Sequence, residues 1–100
     1  MIDKIYTSIY KAIDEVNIQL SKNEQLSKDP DTILYGDSSV LDSLGLINII
    51  VAVEQNIADD FEKIIILADE RAMSQEKSPF RTVGSLADYI ELLLEEKLND

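Results

Sequence analysis

Residues 36–50 read GDSSVLDSLGLINII. Three serines (Ser38, Ser39, Ser43) and two aspartates (Asp37, Asp42) stand just before a dense run of Leu and Ile. A serine nucleophile needs a base beside it. The chain has no His, and no Ser-x-x-Lys spacing surrounds Ser43. With no Cys there is no thiolate, disulfide or thiolate metal site. Paired carboxylates act on sugars only across a cleft. The pairs Asp29/Asp31 and Asp59/Asp60 lack the calcium-loop spacing with its central Gly and closing Glu, and read as solvated surface. No Gly-rich phosphate loop occurs. What remains is a serine that is acted upon. A hydroxyl at a helix start is open to a second enzyme. A phosphate attached there meets free backbone N–H groups and the positive end of the helix dipole. The plain alternative for Ser43 is a helix cap or a surface hydroxyl.

The elements that must position this serine are helices. One hundred residues make one domain with one modest core. Aliphatic residues abound, aromatics number four Tyr and two Phe, and Gly and Pro are scarce. Twenty acidic against nine basic residues give a formal charge of −11. Such a surface repels nucleic acid and anionic lipid and suits basic protein partners. The N-terminal MIDKIYTSIYK is amphipathic and carries acid, so it reads as neither signal peptide nor membrane span. The absence of Cys permits a reducing compartment, and the expectation is a cytoplasmic monomer.

Ile2, Ile5, Ile9, Ile13, Val16 and Leu20 recur at helical spacing and predict a helix over 3–21. A polar connection follows, with Leu26, Ile33, Leu34 and Tyr35 as its expected anchors to the core. A second helix is predicted from Asp42 or Ser43 to about Ala58, with Asp42 as cap, or Ser39 in a rival register. The run FEKIIILA is too short for its period to decide and reads as an extended segment or helix end along the core. Asp69 can cap a short helix that stops before Pro79. Thr82 caps a last helix over 83–97, whose face is Val83, Leu86, Ile90, Leu93 and Leu94. The fold class is therefore all-α, with three long helices, one short helix between the second and third, and a long first loop.

The second helix carries more apolar surface than one core stripe requires. Leu46, Ile49, Ile50, Val53 and Ile57 form one stripe, and Leu44, Ile47 and Val51 form another, displaced around the axis. Three long helices cannot bury both, so the second stripe is expected to be partly exposed and to serve for docking. Otherwise both stripes are core, with the loop over residues 21–40 folded across one.

Asp42-Ser43-Leu44 opening an apolar helix in the middle of a short acidic chain resembles the acyl carrier proteins. The similarity extends over most of the chain, through the helix order, the long first loop and the Thr82-Val83 start of the last helix. It implies a four-helix bundle of acyl-carrier type and no catalysis by the chain itself. It also implies a 4′-phosphopantetheine arm joined to Ser43 by a phosphodiester. A separate phosphopantetheinyl transferase, using Mg2+ that this chain does not hold, would install the arm from coenzyme A. The arm's thiol would then carry acyl intermediates as thioesters for fatty-acid, polyketide or related specialised metabolism. Asp42, Leu44, Ile47, Val51 and Glu54 match the family's partner-binding positions, for acyl-loading, condensing or acyl-transfer enzymes with basic patches. Leu46, Ile49, Val53 and Ile57 match positions that line the core and the acyl shelter.

The chain also departs from the family. Gly45, Asn48, Gln55 and Asn56 stand where acids are common along the second helix, and segment 62–81 is longer than a minimal carrier's. Val40-Leu41 does not match the Gly-Gly of peptidyl carriers. These features imply a specialised carrier with dedicated partners. The rival class is an unmodified helical interaction module of the same shape. A small hydrolase is disfavoured by the missing base.

Overall fold

The predicted periodicities resolve into three helices. A computed structural model describes residues 2–20, 22, 25–34, 43–67 and 80–98. Among these, α1 spans Ile2–Asn17, α2 spans Ser43–Phe61 and α3 spans Val83–Leu98. There is no strand among them, only an isolated antiparallel bridge between Ile33 and Thr82. The arrangement is all-α and compatible with a helical bundle. α1 is the common support, packing against both α2 and α3. The short helix expected after Asp69 lies outside the described residues. So do Tyr35, Asp37, Ser38, Ser39 and Asp42, and the side chain of Ser43.

α1 buries Ile5, Ile9, Ala12, Ile13 and Val16, one stripe by the 3.6-residue period. Its apolar pattern predicts helix to 21, yet it ends at Asn17. The Asn17 side chain pairs with a backbone peptide of the loop. Its Nδ2 donates to Leu26 O (2.9 Å), and the Leu26 N–H donates to its Oδ1 (2.8 Å). Gln25 Nε2 donates to the Asn17 carbonyl (3.2 Å), which a longer helix would need for its own ladder. The chain tightens instead through Gln19 N–H to Val16 O and Leu20 N–H to Asn17 O. Leu20 ends partly buried against the core rather than on a fifth turn.

The same loop seats α3. The N–H groups of Val83 and Gly84, orphans at a helix start, donate to Thr32 O (3.0 Å) and Pro30 O (2.8 Å). Thr82 and Ser85 close a reciprocal cap: Ser85 N–H donates to Thr82 Oγ1 and Thr82 N–H to Ser85 Oγ. Gly84 suits this approach, since a Cβ there would stand 3.1 Å from Pro30 O and the loop would have to give by a few tenths of an ångström. Leu26 and Leu34 are buried, as expected of anchors. Ile33 is not. The bridge with Thr82 is made by its neighbours, Leu34 N–H donating to Arg81 O and Val83 N–H to Thr32 O, and with Leu34 turned into the core the Ile33 side chain faces outward. Asp29 Oδ1 accepts from Asp31 N–H (2.8 Å), so this carboxylate pair is the inside of a turn.

α2 runs three residues past the predicted Ala58. Its last turn is held from α1: Lys4 Nζ lies 4.8 Å from the centre of the Phe61 ring, and Lys11 pairs with Asp60. Glu62 then breaks the helix in the left-handed region, at φ 56°. A side chain with a Cβ is strained there by roughly 1–2 kcal/mol, and an acid at a helix C-terminus also opposes the dipole. Glu62→Gly relieves both, while giving the unfolded chain more freedom. We expect a net gain of about 0.5–1 kcal/mol, read as a higher urea midpoint at unchanged slope. A lower midpoint would contradict the left-handed cap.

Candidate functional site

Ser43 is the first residue of α2, and no acid lies in that helix's first turn. The positive end of the helix dipole is thus not neutralised from within the turn. The two apolar stripes behind Ser43 separate cleanly. Ile49, Val53 and Ile57 are fully buried, Ile50 is buried, and Leu46 packs partly against the core. Leu44, Ile47 and Val51 are 66%, 54% and 45% exposed. Large apolar side chains at i, i+3 and i+7 make one strip on one helix face. The strip begins beside Ser43 and runs two turns down α2.

The orientation of α2 is fixed by a polar contact with α1 at its far end. Ser8 is completely buried, and its hydroxyl donates to Asp60 Oδ2 (2.5 Å), with Lys4 O a longer alternative at 3.2 Å. Lys11 Nζ reaches the same carboxylate at 3.0 Å, and Asn56 Nδ2 donates to Ser8 O at 3.1 Å. Hydrogen bonds from Ser8 and then Lys11 hold the Asp60 carboxyl below its ordinary range. Because the folded value is the lower one, this stabilisation is complete above the ordinary carboxylate range and is lost as pH falls through the depressed value. In Asp60→Ala the Ser8 hydroxyl can still turn to Lys4 O, so the expected cost at neutral pH is about 1–2 kcal/mol. The gap between wild type and variant, measured by urea unfolding, should narrow as pH drops below the carboxylate range. A gap independent of pH would show that the ionised carboxylate is not what holds the two helices.

Glu54, matched by sequence to a partner-binding position, is engaged within the chain. Its Oε1 accepts from the Leu67 N–H at 2.8 Å, tying the segment after α2 back onto the helix one turn beyond Val51. Burial along that segment alternates: Ile64 and Ile66 are exposed, Ile65 and Leu67 buried. A two-residue alternation belongs to extended chain. Sequence reasoning left this run between two conformations and gave Ile64 and Ile66 no role. An uninterrupted Ile-Ile-Ile-Leu carries no period, and the alternation is created by the core that Ile65 and Leu67 enter. Asp42 lies outside the described residues, so its relation to the strip is not drawn.

Comparison with protein-family models, curated proteins and solved structures finds no match to this chain.

Among the described residues no three acidic side chains converge as a metal site. No described helix is long and apolar enough to cross a membrane. What the site offers is one serine at a helix head, a strip of exposed aliphatic side chains beside it, and a second, buried stripe that anchors the helix to α1.

Proposed function

We propose that the chain is an acyl carrier protein, modified at Ser43 with 4′-phosphopantetheine. The observation that carries the reading is the combination on α2: Ser43 opens the helix, and the side chains of Leu44, Ile47 and Val51 that follow it are exposed while the neighbouring stripe is core. An ordinary amphipathic helix has no reason to expose three large aliphatic residues in line with its first turn. A helix that a series of enzymes must grip beside one modifiable residue does.

The residues fit the group. In the transfer step the Ser43 oxygen forms a bond to a phosphorus of coenzyme A, the pyrophosphate bond breaks, and the nucleotide portion departs. The hydroxyl proton passes to a base on the transferase, since this chain has no His to receive it. The new phosphodiester sits at a helix N-terminus, where backbone N–H groups and the dipole favour negative charge. The arm then supplies the thiol that the sequence lacks. Leu44, Ile47 and Val51 present the apolar surface on which the transferase and the acyl-handling enzymes dock, and the acidic chain favours basic patches on them. Glu54 steadies this surface through Leu67, in place of the direct ionic contact implied by the resemblance. Ile49, Val53 and Ile57 are closed to solvent, so an acyl chain sheltered among them requires the core to part.

The test is intact mass. Incubation with a broad-specificity phosphopantetheinyl transferase, Mg2+ and coenzyme A adds the mass of one arm. An unchanged mass, under conditions that modify a control carrier, overturns the reading in favour of an unmodified interaction module.

A further inference from the structure

The segment after α2 supports a second binding mode, distinct from the helix strip. Burial of Ile65 and Leu67 against exposure of Ile64 (76%) and Ile66 (64%) gives residues 64–67 the two-residue alternation of extended chain. In extended chain the N–H and C=O groups of successive residues point to opposite edges. The Leu67 N–H points at Glu54 on α2, so the groups of Lys63 and Ile65 share that edge. The groups of Ile64 and Ile66 point the other way. Neither residue makes a backbone hydrogen bond to another described residue. The segment is therefore a short open edge carrying two exposed β-branched side chains, held to the helix by a single carboxylate.

We propose that this edge pairs with an extended segment of a partner protein in which apolar residues alternate with Lys or Arg. Main-chain hydrogen bonds to Ile64 and Ile66 would give the affinity, and alternate side chains the fit. The choice of occupant follows from charge. Just before the edge in sequence, Asp59, Glu62 and Lys63 are exposed, two acids against one base, and none of them has an ion-pair partner among the described residues. The whole chain carries −11. A second copy paired through the same edge would bring two such charges together, whereas a basic strand neutralises them. The proposal concerns a site other than Ser43 and stands whether or not that residue carries an arm.

The experiment titrates the full-length protein with a capped heptapeptide, Lys-Val-Lys-Ile-Lys-Val-Lys, and follows backbone amide signals by NMR. The expected result is saturable binding with Kd below about 1 mM. The largest shifts should fall at 63–67, and amide exchange at Ile64 and Ile66 should slow by about tenfold or more. The same peptide N-methylated along one edge keeps its charge and apolar surface and should bind at least tenfold more weakly. Ile66→Pro removes the free donor while leaving residue 65 in its extended conformation. It should abolish binding, whereas Ile66→Val preserves it. Equal binding of the methylated peptide would reduce the effect to non-specific charge attraction and overturn the proposal. So would shifts centred elsewhere, no binding, or amide protection that appears without peptide as the protein dimerises in sedimentation.

Discussion

On the proposed reading, Ser43→Ala is expected to end the gain in mass: the variant incubated with transferase, Mg2+ and coenzyme A should stay at its unmodified mass, while wild type should shift completely. The expected effect is all or none because the proposed step joins the hydroxyl oxygen to phosphorus, and alanine offers nothing in its place. The fold is expected to tolerate the change. Position 43 begins α2, and alanine is a better helix former than serine, so stability should move by no more than about 0.5 kcal/mol. Loss of modification therefore cannot be blamed on unfolding, and an unchanged far-UV spectrum with a matching urea midpoint checks this. The same segment holds two further serines. Ser38→Ala and Ser39→Ala are expected to accept the arm as wild type does. Modification that persisted in Ser43→Ala but vanished in Ser39→Ala would move the attachment site and cut the link to the exposed strip.

The second large effect is a contrast between two isoleucines two positions apart on α2. Ile49 is fully buried and Ile47 is 54% exposed. Ile49→Ala removes methyl and methylene groups from the buried core and leaves a cavity, which costs about 2–5 kcal/mol. Ile47→Ala removes the same atoms from a surface that water already reaches and should cost less than about 0.5 kcal/mol. Urea unfolding of the two variants measures both. Function should divide the other way. If the exposed strip is the proposed docking surface, Ile47→Ala should lower kcat/KM of the transferase for the protein by about tenfold, as truncation of an interface anchor does. Ile49→Ala, compared under conditions where it remains folded, leaves the docking strip intact. Equal stability losses in the two variants would mean that α2 is rotated about its axis from the orientation described here.

Much of this architecture is written in local patterns. The α1 stripe from Ile5 to Val16 and the α3 stripe from Val83 to Leu94 follow the helical period, and Thr82 caps α3 as its hydroxyl predicts. The sequence misreads the places where a distant partner decides. α1 stops at Asn17 because the peptide of Leu26 captures its side chain, and nothing near Asn17 in sequence announces that partner. α2 continues to Phe61 because Ser8, Lys11 and Lys4 of α1 hold its acidic and aromatic last turn. Ile33 has the composition of an anchor, but the bridge that Thr32 and Leu34 make on either side of it puts Leu34 in the core and leaves the Ile33 side chain in water.

The sequence by itself determined that the chain is helical and strongly acidic, and that its serines have no His or Cys for company, because periodicity, charge and composition are local or additive properties. Only the tertiary structure decided whether the second stripe of α2, expected to be partly exposed, meets water or joins the first stripe in the core. Leu46-Ile49-Val53-Ile57 and Leu44-Ile47-Val51 are both apolar stripes at helical spacing, and no local rule says whether the fold buries one or both. The choice is made where Ser8 and Lys11 of α1 grip Asp60, fixing the rotation of α2 about its own axis. The segment after the helix follows the same logic. Four consecutive aliphatic residues acquire an inside and an outside only once Glu54 takes the Leu67 N–H and the core takes Ile65.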